Sequence, residues 1–85
     1  MLYMANSSTS EVALSQLGQV IHRQRKQSGL RIDDAAALSG VSVDLLSRLE
    51  NGKSGVATDR VLRVLDALGL GLSVVDKATG TVHSL

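Results

Sequence analysis

The strongest constraint on this chain is the junction Gly40-Val41-Ser42, which lies between two short stretches with helical apolar spacing. Glycine is the usual left-handed stop of a helix, and serine is a preferred N-cap. Only Gly40 and Val41 separate the end of one helix from the cap of the next. So short a connection forces the two helices to cross sharply instead of lying antiparallel. Ala35, Ala36 and Gly40 are small enough to allow close approach at the crossing. Leu38, Val41, Leu46 and Leu49 are expected to lock the angle.

The flanking pattern extends this pair into a bundle. Ser10 predicts a helix N-cap with Glu11 in the first turn, and the helix runs from about Glu11 to Gln27. Its apolar stripe is Leu14, Leu17, Val20 and Ile21, followed by the basic stretch His22 to Lys26 and a stop at Gly29. The second helix fits Ile32 to Ser39, with Asp33 and Asp34 near its positive end. Ser42 opens the third, and Asn51-Gly52 ends it. After a loop from Lys53 to Ala57, a fourth helix starts at Thr58 or Ala57. Its predicted stripe is Val61, Leu62, Leu65 and Leu68, with Gly69 as the stop.

At Leu70 the period changes to alternation. Leu70 to Val75 reads as a strand, Lys77 to Gly80 as a turn, and Thr81 to Leu85 as a second strand. The fold expected is mainly α, about four helices with a short C-terminal β-strand or hairpin. Residues 1–10 are expected to be a flexible tail, 11–69 the helical domain and 70–85 the β element.

Composition narrows the class. At 85 residues the chain supports one compact unit, too small for a cofactor domain beside a substrate domain. Hydrophobic residues at 44% and charged residues at 20% suit a folded domain and exclude a disordered charged tail. Tyr3 is the single aromatic, so the core must be aliphatic. Cysteine is absent, which excludes a disulfide framework and a thiolate metal cage and favours a reducing compartment. No stretch approaches the roughly 18 apolar residues of a membrane span. The first ten residues lack the basic start of a secretory signal, so a cytoplasmic location is expected. Net charge is only +1, but eight Lys/Arg and five Asp/Glu lie between Leu17 and Arg63. Elsewhere one Lys faces three acids, so positive charge gathers in the middle of the chain.

Two helices joined by a tight glycine turn, the second opened by a capping serine, form a helix-turn-helix. This arrangement leaves the outer face of the second helix free to enter a major groove. The plainer alternative is a helical bundle whose short loop happens to hold glycine. Other chemistry fits less well. Gly52-Lys53-Ser54 echoes a phosphate-binding loop, but Ser47 stands where that motif needs glycine, and a helix precedes it. Gly40-Val41-Ser42-Val43-Asp44 departs from a nucleophile elbow at its last position. His22 and His83 lack partners at ligand spacing, so surface placement is the better reading for both. No catalytic residue, metal site or cofactor is expected, and the chain does not read as an enzyme.

Leu17-Gly18, Ile21, Arg25, Gly29-Leu30, Leu38, Gly40-Val41-Ser42 and the run Leu46-Ser47-Arg48-Leu49-Glu50-Asn51-Gly52-Lys53 resemble the Cro/C1-type (Xre) helix-turn-helix family. The resemblance spans about Leu17 to Gly69 and is most specific from Gly40 to Lys53. It implies a lambda-repressor-like bundle that binds double-stranded DNA, with the third helix as the recognition helix. Val43, Asp44, Ser47 and Arg48 then become the base-facing positions. Arg48 can donate a bidentate pair to guanine, and Val43 can meet a thymine methyl. Asp44 is explained as well by charge complementation at the helix terminus. Arg31, Ser42, Asn51, Lys53, Ser54 and Arg60 fall where backbone contacts are implied. The resemblance also implies an internal ion pair between Arg25 and Glu50. Three positions depart from the pattern. Arg31-Ile32 stands where relatives carry a polar residue and Gln, while Gln24 and Thr58 replace apolar residues.

The alternating segment after Leu70 looks like the HipB-type antitoxin branch, in which a C-terminal strand pairs between two subunits. A lone strand after a bundle leaves backbone groups unpaired, and two strands alone are marginal. Pairing across a two-fold axis would bury Leu70, Leu72, Val74 and Val82 from both copies. A hairpin packed on its own helices is the alternative. The resemblance therefore implies a homodimeric repressor on a palindromic operator, serving as the antitoxin partner of a HipA-like kinase toxin. A free-standing regulator without a toxin, or a helix-turn-helix protein-interaction module, stands as the alternative.

Overall fold

The computed structural model describes residues 7–85, with side chains from Val12 onward. Its elements run α1 (Ser7–Gln27), α2 (Ile32–Ser39), α3 (Val43–Glu50), α4 (Thr58–Ala67), β1 (Ser73–Val75) and β2 (Val82–Ser84). The architecture is the mainly helical bundle with a C-terminal hairpin that the sequence predicts. The start of α1 differs, because the helix begins at Ser7, one turn before the expected cap at Ser10. Once a helix is nucleated, each added turn costs little, and Ser and Thr are only mildly unfavourable inside it. The remainder of the expected N-terminal tail, residues 1–6, lies outside the described residues, as does Tyr3.

The α2–α3 junction works as its residues require. Gly40 takes the left-handed conformation (φ 69°), and the Val41 amide donates back to the Ala36 carbonyl at 3.0 Å. Ser42 then caps α3, its Oγ accepting from the Leu45 amide at 3.0 Å. One helix is closed and the next opened within two residues, with the Ala36 and Ala37 carbonyls on one side and the Leu45 amide on the other given partners.

Ile21, Leu46, Leu49 and Val64 are the fully buried large side chains, joined by Ala35, Ala36, Leu65 and Leu68. Each of the four helices therefore contributes. Three expected core positions are corrected. Leu62 is 44% exposed, and Val64 takes the inward place. The inward stripe of α4 runs 61, 64, 65 and 68, and Leu62 lies about 100° round the helix from Val61. Leu38 is 63% exposed for the same reason, one residue away from the buried Ser39. The Ser39 hydroxyl donates to the Ala35 carbonyl at 2.7 Å, so a polar side chain is buried without an unmet hydrogen bond. Val20 is 40% exposed, whereas Ile21 beside it is fully buried.

Gln24 shows why a polar residue fits an apolar position. Its Nε2 donates to the Leu68 carbonyl at 3.0 Å, satisfying an acceptor at the end of α4. At Gly18 two helices approach backbone to backbone. A Cβ there would lie 2.5 Å from the Leu49 carbonyl oxygen and 2.6 Å from that of Glu50. Only glycine lets α1 press directly against the backbone of α3.

The hairpin is antiparallel, pairing Ser73 with Ser84, Val74 with His83 and Val75 with Val82. Its strands are shorter than the predicted 70–75 and 81–85. Leu70 and Leu72 instead pack against the helical core, whereas Val74, Val75 and Val82 are exposed. Among the described residues, no helix is long and apolar enough to cross a membrane.

Candidate nucleic-acid interface

α3 is held from below by Leu46 and Leu49, and this decides which side chains remain outside. Ser42, Val43, Asp44 and Arg48 are exposed, and Ser47 is half-buried. Val43, Asp44 and Arg48 thus share the solvent side, while Ser47 leans toward α1. Asp44 occupies the first turn of α3, where a carboxylate complements the helix dipole. The Ser42 oxygen is occupied by its capping bond, but its hydroxyl proton is left to donate.

The residues after α3 gather beside it. Arg48 Nη2 donates to the Ser54 carbonyl at 3.2 Å, linking the helix to the following loop. Arginine has five N–H donors, so one bond to the protein leaves most of the fork for a ligand. Asn51 Nδ2 donates to the Ser47 carbonyl at 2.7 Å. Lys53 is exposed on the same loop. Arg31 and Arg60 sit at the starts of α2 and α4, each beside a local acid. Arg31 lies 3.0 Å from Asp33, and Arg60 lies 3.7 Å from Asp59. Both pairs are solvent-exposed and contribute little to stability, so either arginine can turn to another anion.

Behind this surface, Arg25 and Glu50 fix α3 to α1. Arg25 Nε donates to Glu50 Oε2 at 2.6 Å and Nη2 to Oε1 at 3.0 Å, a bidentate pair. Nη1 donates to the Leu30 carbonyl at 3.0 Å, tying in the α1–α2 loop. The two side chains are only 9% and 5% exposed. Burial alone would raise the Glu50 carboxyl. The hydrogen bonds from Arg25 and His22 outweigh it and hold the group below the usual carboxylate range. The hydrogen bond to Glu50 correspondingly raises Arg25.

His22 is more than a surface residue, since its Nδ1 lies 2.7 Å from Glu50 Oε1. Its spacing of three from Arg25 puts both on one face of α1, a signal that could have placed it in this network. Sequence reasoning also passed over Gln19 and Arg23. With His22, these α1 residues form one wall of an open groove of about 510 Å³. Ile32 supplies the second wall, and Ser47, Glu50 and Asn51 the third. The groove opens beside the outer face of α3 and shares Ser47 and Asn51 with it.

Comparison with known proteins adds three findings. Residues 16–78 match the helix-turn-helix domain family. An uncharacterized HTH-type transcriptional regulator, y4mF, of Sinorhizobium fredii (strain NBRC 101917 / NGR234) is 32% identical over 59 residues, covering 69% of this chain and 78% of that protein. A chain of the HipA-HipB-O2-O3 complex has a similar fold, with a TM-score of 0.68 and 18% identity, covering 91% of this chain and 99% of the other.

Proposed function

The chain belongs to the helix-turn-helix domain family, and from that premise we propose that it is a sequence-specific, duplex-DNA-binding transcriptional repressor. The observation that carries this reading is the construction of α3. Two buried leucines anchor the helix, a serine caps it, and Val43, Asp44 and Arg48 are exposed to solvent. Such a helix fits a major groove. Arg48 supplies the bidentate guanine contact, Val43 the methyl contact, and Ser47 and Asp44 flank them. Arg31, Ser42, Asn51, Lys53, Ser54 and Arg60 hold the phosphates that set the register.

The repressor acts as a homodimer. Val75 and Val82 lie opposite each other at 52% and 58% exposure, and Val74 and Leu85 are exposed at 52% and 78%. A two-stranded hairpin with so much apolar surface gains by pairing with a second copy. Leu70 and Leu72 support it from the core side. Two recognition helices would then stand about 34 Å apart, as a palindromic operator requires. Sedimentation equilibrium of the wild type is expected to give twice the chain mass. Val82→Asp should give the single chain mass with the helical signal unchanged.

The fold shared along nearly its whole length with a chain of the HipA-HipB-O2-O3 complex favours an antitoxin that represses its own operon and binds a HipA-like kinase. The deciding experiment is an anisotropy titration with the duplex upstream of its own gene. The wild type should form a saturable complex that weakens steeply with salt. Arg48→Ala should lose about 5- to 150-fold in affinity, corresponding to about 1–3 kcal/mol for one bidentate base contact, while keeping its melting curve. Absence of any saturable complex, with a protein partner still bound, would instead support an interaction module.

A further inference from the structure

We propose that the groove between α1 and α3 seats a phosphodiester of the DNA backbone, with Arg23 and Gln19 of α1 as its ligands. This inference rests on the DNA-binding reading and extends the interface to a helix that the reading does not use. Gln19 and Arg23 are four residues apart, so they stand on one face of α1 and both line the groove. Ile32, on the adjoining wall, offers no side-chain donor, so the donors of this groove come from α1, Ser47 and Asn51.

The charge inside the groove favours an anion. Among the described residues Glu50 is the one carboxylate in the lining, and the bidentate bond from Arg25 neutralises it. Arg23 is exposed, and among the described residues no carboxylate lies within ion-pair distance of it. By contrast, Arg25, Arg31 and Arg60 each have an acidic neighbour. Arg23 therefore keeps its full complement of donors for a ligand. Continuity completes the argument. Ser47 and Asn51 belong both to the groove and to the edge of α3, so a strand read by α3 carries its backbone across the groove.

The test measures affinity against salt for two duplexes, the fragment upstream of the gene and one of random sequence. Arg23→Ala is expected to weaken both about equally and to reduce the slope of log K against log salt by about 0.9. Arg23→Lys should retain the slope, because it keeps the charge. Arg48→Ala should instead narrow the preference between the two duplexes. An unchanged slope for Arg23→Ala, with wild-type binding saturable and salt-dependent, would overturn the groove assignment and leave the DNA-binding reading standing. Failure of the wild type to bind either duplex would remove both.

Discussion

Glu50→Ala is expected to lower folding stability by about 3–5 kcal/mol, the usual cost of removing one member of a buried ion pair. The loss comes chiefly from the partner left behind. Arg25 would lose both bonds to the carboxylate yet remain buried, left with its bond to the Leu30 carbonyl and His22 Nδ1 at 3.4 Å. A domain of this size has roughly 4–13 kcal/mol in total at 0.05–0.15 kcal/mol per residue, so urea unfolding should show a large drop in midpoint. Replacing both partners with methionine should recover much of the loss, because no charge is then stranded.

Acid should act through the same pair. The Glu50 carboxyl is held below its ordinary value in the folded state, so the unfolded chain takes up a proton first as pH falls. The pair's contribution is complete above the unfolded carboxyl's value of about 4.3 and disappears as pH drops through the folded value. Melting curves between pH 7 and pH 3 should show this limb in the wild type. The limb should be reduced in the double methionine variant, and an equal limb in both would rule out Glu50 as its source.

The second large effect is a reversal of sign. Glycine inside a helix is about 1 kcal/mol less favourable than alanine, so Gly18→Ala should stabilise α1 if helix propensity decided the outcome. At this position the new methyl would meet the Leu49 and Glu50 carbonyl oxygens at 2.5 and 2.6 Å. Backbone cannot move aside as a flexible side chain can. A net destabilisation of about 3 kcal/mol is expected, at the upper end of the cost of overpacking. Chemical denaturation reads it directly, and a gain in stability would mean that α1 and α3 do not meet as described. Both changes loosen the same joint, where α3 is fixed against α1.

Much of the fold was legible because its signals are local. The helix ends at Gly29, Gly40 and Gly69 and the cap at Ser42 depend on conformations that few other residues satisfy as well. Inward faces were read less well. Leu38 is more apolar than the buried Ser39 beside it and Leu62 as apolar as the buried Val64, and only the rotation of α2 and α4 against the bundle leaves the two leucines outside. At the candidate interface, Val43, Asp44 and Arg48 could be assigned to one side of α3 from the positions of Leu46 and Leu49. The groove could not. Gln19, His22 and Arg23 lie more than twenty residues from Ser47 and Asn51, and no local pattern joins them.

The sequence by itself determined the number of helices, the sharp α2–α3 crossing and the free face of α3. Each follows from backbone preferences acting over a few residues. Only the tertiary structure decided that Gly18 admits the backbone of α3, that Gln24 closes α4, and that a groove opens between α1 and α3. Those features depend on how separate helices are set against one another. That placement is a property of the whole core and is not carried by any single stretch of the chain.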